Sequence, residues 1–164
     1  MTIPEEIAHF NALSVVFNGF IILPEQSDGV ISLICQEIHS ANSEKNWVPV
    51  YLFDILKNGE KVGGINLRIG YNEMLYYGGN IGYRVDEAHR GNGYAVRACR
   101  LLVAAAKAHS MTKLFITNEY RNAASMRVCE KLGARLLRTA PVPEWHDLYK
   151  KGDRFLNIYE WNIN

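Results

Sequence analysis

Hydrophobic residues alternate with small or polar ones in one part of the chain and recur at helical spacing directly afterwards. Ile81, Tyr83 and Val85 occupy every second position, which predicts a strand. After a loop that contains two glycines, small and apolar residues recur at helical spacing: Ala95, Ala98, Cys99, Leu102, Ala105 and Ala106. The stretch from Asn80 to Ala106 is therefore predicted to form a strand, a tight turn and a long helix.

A second strand and helix follow this unit. Residues Lys113 to Thr117 predict a short strand. Asn122 is a suitable N-cap for a helix whose shared face carries Ser125, Val128, Cys129 and Leu132. Gly133 provides the left-handed residue that ends such a helix.

The remaining segments complete the predicted order of elements. An Asn58-Gly59 pair separates two apolar runs and predicts a hairpin, with Gly63 and Gly64 marking a bulge. The runs predict helices at 3–13 and 30–40, and strands at 17–23, 48–56, 61–69, 134–139 and 154–161. This order predicts an α/β fold with a mixed, mostly antiparallel central sheet flanked by helices.

Aromatic residues outside any motif are candidates for the walls of a substrate pocket. The segment from Tyr71 to Gly79 contains three tyrosines, which either line such a pocket, or pack on the sheet or lie half exposed. We expect the pocket to draw on Tyr51, Tyr76 and Trp145.

Composition narrows the class of protein. A length of 164 residues with 48% hydrophobic content suits a single domain over residues 1–164. The net charge of +1 provides no electrostatic footprint for nucleic acid. The sequence shows no targeting segment and no apolar run that could span a membrane, so we expect a cytoplasmic protein. Its three separated cysteines indicate reduced thiols, and no metal-binding spacing is present.

The loop from Arg90 to Ala95 suggests anion binding. Gly91 and Gly93 allow a tight backbone turn at the start of a helix, where unpaired N–H groups and the helix dipole favour a phosphate or pyrophosphate. Arg90 would reinforce this preference. The alternative is that the glycines only connect a strand to a helix.

Two motifs resemble a known family. The sequence R-G-N-G-Y-A at 90–95 resembles the acyl-CoA pyrophosphate loop of the GNAT (Gcn5-related) N-acetyltransferases. The segment N-A-A-S…E-K-L-G-A at 122–134 resembles the Asn-to-Gly helix of the ribosomal-protein and antibiotic acetyltransferases in that family. The two occur in the family's order and spacing, and the close resemblance covers about residues 80–134.

This resemblance implies direct transfer of an acetyl group from acetyl-CoA to a primary amine of a small molecule or a protein N-terminus. The strand around Tyr83 would separate from strand 113–117, and a backbone N–H near Val85 would stabilise the oxyanion. The implied cofactor-binding residues are Arg84 and Val85 for the pantetheine arm, Arg90, Gly91, Asn92, Gly93, Tyr94 and Ala95 for the pyrophosphate, and Asn122 and Ser125 near the arm.

The chain departs from the family pattern at the catalytic positions. Many relatives carry a tyrosine acid seven residues after the motif asparagine, where this chain has Cys129, either a thiol acid or a small hydrophobic residue. A glutamate early in the strand is replaced by Gly79 or Asn80. Catalysis stays unassigned, with weak candidates in Glu119, Tyr83, His146 and Asp147.

Two other functions fit parts of the sequence. An acyl-CoA-binding or sensing module without catalysis would explain the missing tyrosine and glutamate. A nicotinamide or flavin dinucleotide binder would use the first two glycines of the loop, but Val96 occupies the position of the third. A homodimer is compatible with the sequence.

Overall fold

Eight strands form two antiparallel sheets in the computed structural model, which describes residues 1–164. The five-stranded sheet has the order β1-β2-β3-β4-β5, formed by β1 (Gln26–Ser27), β2 (Ser32–His39), β3 (Val50–Lys57), β4 (Glu60–Arg68) and β5 (Ile81–Val85). The other three strands are β6 (Lys113–Glu119), β7 (Arg135–Pro141) and β8 (Phe155–Asn162), with β8 in the centre of their sheet.

Five helices flank the sheets, and their ends follow local sequence signals. They are α1 (Ile3–Ala12), α2 (Glu73–Gly78), α3 (Tyr94–Ala108), α4 (Ala123–Leu132) and α5 (Asp147–Lys150). A capping box of Thr2 and Glu5 begins α1. As predicted, Asn122 caps α4 and Gly133 ends it with a φ of +76°. No helix has the length and apolarity that crossing a membrane would require.

Two hydrophobic cores lie on opposite faces of the three-stranded sheet. The larger core packs α3 against the five-stranded sheet, and Leu114 and Ile116 of β6 also enter it. Phe115, between them, faces the smaller core, where it packs edge to face against Phe10 of α1. The alternation along β6 therefore lets one strand contribute to both cores.

The gap between β5 and β6 is the main irregularity of the fold. These strands belong to different sheets, and Asn80 joins them at one end only. Its backbone N–H donates to Phe115 O at 2.7 Å, and its Oδ1 accepts from Phe115 N at 2.9 Å. The Nδ2 group donates to Arg68 O and Gly70 O, at 3.1 and 2.8 Å. The strands separate after this point, as the resemblance implied.

Gly79 allows the close approach that precedes the gap. It has a φ of +75°, a conformation that residues with a side chain rarely adopt. A Cβ atom at this position would lie 2.9 Å from Phe115 O and 3.1 Å from Thr117 N. A glutamate or any other larger residue could not occupy this position without moving β6.

The predicted α/β class with a mostly antiparallel sheet is confirmed, and so is the hairpin at Asn58-Gly59. The β3–β4 ladder shifts register between Ile55 and Leu56, opposite Gly63, so the predicted bulge is also present. Two segments were predicted wrongly. The segment 30–40 contains β2 (Ser32–His39) rather than a helix, and residues 17–23 join no sheet.

Pairing between strands explains the first error. Leu33 and Cys35 of β2 lie opposite Ile55 and Phe53 of β3, so alternate residues face the core, although the β-branched residues also match a helical spacing. Segment 17–23 is held by a side chain rather than by hydrogen bonds to a neighbouring strand: the Tyr51 hydroxyl accepts from Ile21 N at 2.8 Å.

The tyrosines of the 71–79 segment pack rather than line a pocket. Tyr76 and Tyr77 belong to the short helix α2, and both are buried in the smaller core. Tyr76 donates to a carboxylate oxygen of Glu6. Tyr51 is also buried, with its hydroxyl 2.6 Å from His109 Nε2. The expectation that Tyr51 and Tyr76 wall the substrate pocket is therefore wrong.

Replacing Asn80 by alanine should destabilise the fold strongly. The change leaves the N–H of Phe115 and two carbonyl oxygens without their partner in a buried region, so we expect the free energy of unfolding to fall by about 3 kcal/mol. Urea unfolding measures this loss. The matched control is Asn66→Ala on β4, because Asn66 Oδ1 is buried and has no partner. Equal effects of the two changes would contradict the bridging role of Asn80.

Candidate active site

The loop between β5 and α3 has an open backbone turn. Gly91 and Gly93 have φ angles of +83° and +74°, and a Cβ at either would meet nothing within 4 Å. Backbone conformation, not crowding within the protein, therefore requires these glycines. Gly93 is the N-cap of α3 and provides no side-chain cap, so the first N–H groups of the helix stay available to an anion.

A cavity of about 490 Å³ lies beside this loop, between β5, α3 and α4. Its charged lining is entirely basic and contains no aspartate or glutamate. The basic residues are Arg84, His89, Arg90, Arg127 and Lys131. A cavity with this charge and with free N–H groups at a helix start is suited to a ligand that carries several phosphates.

Nine of the ten predicted cofactor-binding residues line this cavity, and the exception is Asn92. The Asn92 side chain donates from Nδ2 to His89 O at 2.9 Å and so holds the loop. Arg90 donates from Nε to Val85 O at 3.0 Å. Arg127 and Lys131 also line the cavity but were not predicted. Their spacing of four residues places them on one face of α4, but the sequence does not indicate that this face borders the cavity.

The edge of β5 that faces the gap has no partner strand, although Val85 O on this edge accepts from Arg90 Nε. Asn80 O and Asp86 N both form hydrogen bonds to β4. In an antiparallel ladder the backbone groups of alternate residues face the same neighbouring strand, so those between Asn80 and Asp86 at even-numbered positions also face β4. The backbone groups of Tyr83 and Val85 therefore face the gap, whereas those of Arg84 face β4. For the strand-like contact predicted at Arg84 and Val85, the backbone groups that face the gap are therefore those of Val85 and Tyr83, and Arg84 lines the wall of the basic cavity.

Tyr83 and Ser125 lie where this cavity meets a second one. Both residues line the basic cavity and also a cavity of about 240 Å³ in the gap between β5 and β6. Their hydroxyl oxygens are 2.9 Å apart. Burial raises the pKa of Tyr83 to about 12, so the phenol stays protonated at neutral pH. Tyr83 can therefore act as a proton donor at this junction.

The gap cavity contains three charged side chains, Arg68, Glu119 and Asp153. Glu119 accepts from Arg121, at 3.0 Å from Nε and 2.8 Å from the backbone N. Asp153 forms no ion pair and lies in the turn before β8. Sequence reasoning missed Arg68 and Asp153, since neither belongs to a motif.

Comparison with known proteins identifies the family. A family model described as an acetyltransferase (GNAT) domain matches residues 15–135. The chain belongs to the GNAT acetyltransferase family. The match includes the glycine loop, α3 and α4, so the family resemblance of the two motifs is confirmed. A comparison with curated protein sequences gives no match.

Solved structures of GNAT proteins share the fold at low sequence identity. An acetyltransferase from Salmonella typhimurium that modifies the N-terminal serine of the ribosomal protein L7/L12 is 19% identical, with a TM-score of 0.55, over 74% of this chain and 67% of that one. An apo structure of RimL, a ribosomal L7/L12 alpha-N-protein acetyltransferase, is 15% identical, with a TM-score of 0.62, over 90% and 99%.

A third structure was solved with acetyl-CoA. This protein, yncA from Salmonella typhimurium, is 17% identical, with a TM-score of 0.54, over 70% of this chain and 65% of that one. At these identities, the likeness of the GNAT structures shows the fold.

The remaining catalytic candidates of this GNAT chain are engaged elsewhere. His146 begins α5, where its Nδ1 accepts from Leu148 N and its Nε2 therefore donates to Met74 O. Neither ring nitrogen is free to act as a base. Asp147 is exposed and lies 4.0 Å from Lys150 Nζ. Both residues line a third cavity, of about 350 Å³, rather than the gap.

Cys129 is a buried thiol in the larger core of the GNAT fold. It is completely shielded from solvent, and Asn118 Nδ2 lies 3.7 Å from its sulfur. Burial raises the pKa of Cys129 to about 12. Cys129 lines neither the basic cavity nor the gap cavity, which favours the hydrophobic alternative over a role as thiol acid.

We expect the three thiols to differ in reactivity toward an aromatic disulfide reagent at pH 8. Burial raises the pKa of Cys99 and Cys129, so neither should react before the protein unfolds. Cys35 is half-buried and should react slowly. Absorbance of the released thiolate measures the reaction, with Cys35→Ser as the control that should show no reaction in the folded state. Reaction of Cys129 in the folded protein would contradict its burial.

Proposed function

We propose that this chain is an acetyl-CoA-dependent N-acetyltransferase that moves an acetyl group directly to a primary amine of a small molecule or a protein N-terminus. The observation that carries the proposal is the junction at Tyr83 and Ser125. A basic cavity with a glycine loop lies on one side of this junction, and a narrow gap with acidic residues lies on the other. Membership of the GNAT family supports the same reaction.

The residues of the basic cavity fit the phosphates of acetyl-CoA. The loop N–H groups and Arg90 would hold the pyrophosphate, while Arg127 and Lys131 add charge for the remaining phosphate. The free edge of β5 would pair with the amides of the pantetheine arm as an added strand does. The Asn122 Oδ1 atom already accepts from Ser125 N, which leaves Nδ2 for the arm.

Residues of the gap would donate and accept the protons that the acetyl transfer requires. A new bond from the amine nitrogen to the acetyl carbon forms as the bond from that carbon to sulfur breaks. The amine loses one proton and the departing thiolate gains one. Tyr83 would donate the proton to sulfur, and Val85 N–H would stabilise charge on the thioester oxygen. We assign the proton acceptor to Asp153, because Arg121 already binds the carboxylate of Glu119.

The proposal also includes the extent of the catalytic unit, its compartment and the class of its acceptor. We infer that residues 1–164 act as one acetyltransferase unit in the cytoplasm, on an acceptor that is not a nucleic acid. The net charge of +1 supports the last point. RimL, by its name, acts on the alpha-amine of a ribosomal protein, which supports protein N-termini as one acceptor class. A homodimer remains compatible with this setting.

Calorimetric titration with acetyl-CoA, with NADH as the control ligand, tests the proposal first. Release of thiol from acetyl-CoA with a panel of amines tests it second. Binding and turnover would support the acetyltransferase. Binding without turnover would favour the acyl-CoA-binding module, and binding of NADH alone would favour a dinucleotide binder. Failure of both ligands to bind would mean that the loop has only a structural role.

Replacing Gly93 by glutamate should abolish binding of acetyl-CoA. The new carboxylate would enter the site of the pyrophosphate, next to the N–H groups of α3. The control is Gly59→Glu in the β3–β4 turn, because Gly59 has a similar φ of +78° and also has nothing within 4 Å of a Cβ. Both variants therefore carry similar backbone strain. Undiminished affinity in the folded Gly93 variant would refute the assignment of the loop.

Replacing Tyr83 by phenylalanine should lower kcat about 100-fold and change the Kd of acetyl-CoA little, because the change removes only the proton donor. Tyr71→Phe is the matched control, since its pKa is also raised to about 12 but its hydroxyl donates to Lys113 O, outside both cavities. The raised pKa keeps Tyr83 protonated, so its ionisation should cause no loss of rate between pH 6 and 9. An unchanged kcat would remove Tyr83 from the mechanism.

A further inference from the structure

Arg68 is a half-buried cation in the gap without a negative partner. It lies on β4, and its Nη1 group donates to Gly78 O and Gly79 O, both at 3.0 Å. None of the ion pairs of the protein includes it. Burial lowers the pKa of Arg68, and no neighbouring charge offsets this effect. A cation withdrawn from water is costly when no opposite charge faces it.

The guanidinium has unused donors on its open side. Only Nη1 bonds to the protein, which leaves Nη2 and Nε without a protein acceptor. Nη2 lies 3.2 Å from the position that a Cβ on Gly82 would occupy, so the group extends along β5 into the gap. Two parallel donors of this kind match the two oxygens of a carboxylate.

The gap is open on the side away from the basic cavity. The third cavity, of about 350 Å³, shares Arg68, Gly78 and Leu148 with the gap cavity, so the two adjoin at the arginine. Trp47 and Val48 form part of its apolar wall. A molecule that entered here would meet Arg68 before it reached Tyr83, with acetyl-CoA approaching from the opposite side.

We propose that the amine acceptor carries a carboxylate, which Arg68 binds, while its amine faces Asp153. This inference rests on the proposed function and adds the chemical class of the acceptor. The gap then holds complementary charges for both groups of the acceptor, because Arg68 and Asp153 line the same 240 Å³ cavity without pairing with each other. A free amino acid and an acidic residue near a peptide N-terminus share this chemistry.

Matched pairs of acceptors test the inference and separate the two sources. Leucine and phenylalanine are compared with leucinamide and phenylalaninamide, and the amidated dipeptide Ala-Asp with Ala-Asn. We expect kcat/KM to favour the carboxylate in at least one set and Arg68→Gln to reduce this preference about 10- to 100-fold. Because each preference is compared with that of the unmodified protein, the intrinsic reactivities of the amines cancel. Arg68→Lys, which keeps the charge, should retain part of the preference.

A control variant distinguishes charge recognition from structural support. Arg138→Gln removes a partly buried arginine that pairs with Glu6 outside the three cavities, and it should leave the preference unchanged. If Arg68→Gln lowers kcat/KM equally for both members of every pair, Arg68 only supports the carbonyls of Gly78 and Gly79, and the inference is overturned.

If the protein shows no turnover, a binding measurement tests the same inference. N-acetylleucine and N-acetylleucinamide are titrated into the CoA-saturated protein and its Arg68→Gln variant. Tighter binding of the acid, lost in the variant, supports the inference, and equal affinities overturn it. Absence of acetyl-CoA binding would refute the proposed function, which is a different outcome from equal affinities of the acid and the amide. Consumption of acetyl-CoA without any preference for a carboxylate would leave the function intact and refute the acceptor class alone.

Discussion

The hydrogen bonds between the start of β5 and β6 pass through Asn80, which is completely buried. Its backbone N–H and its side-chain oxygen both bond to Phe115, at the point where the two strands come together. Because the side chain also binds the carbonyl of the last residue of β4 and that of Gly70, it holds three chain segments in one place. The gap begins beside this point, and each group assigned to the transfer lies along the gap or at its mouth. The position of the site therefore depends on this amide and on the missing Cβ of Gly79.

Charge changes along the route that the two substrates would share. The side assigned to acetyl-CoA is basic throughout, the junction at Tyr83 and Ser125 is neutral, and the acceptor side combines Arg68 with Asp153. In the proposed reaction this order of environments would keep the phosphates away from the reacting amine, and burial keeps the Tyr83 phenol protonated because it raises its pKa. The specificity proposed for the reaction would then depend on Arg68 of β4 and Asp153 in the turn before β8.

Features encoded within a short stretch of sequence could be predicted, and features that depend on packing between distant segments could not. The glycine loop, α3, the cap at Asn122 and the Asn58-Gly59 turn follow from local signals, and all appear in the structure. The apolar residues of segment 30–40 match both a helical and a strand period, and pairing with β3 decided between them. Arg68 and Asp153 meet only because β4 and the last turn converge on one gap, a fact that no spacing in the sequence reveals.

The smaller core also constrains the order in which the protein can fold. In this core Phe10 of α1 packs against Tyr76 of α2 and Phe115 of β6, and Leu156 and Ile158 of β8 belong to the same cluster. The hydrogen bond from Tyr76 to Glu6 joins residues that are 70 positions apart, so α1 gains its tertiary contacts across a long loop. Closing such a long loop carries an entropic cost that only the contacts of the finished core repay. We therefore expect α1 to join the smaller core late, after α2 and β6 are in place.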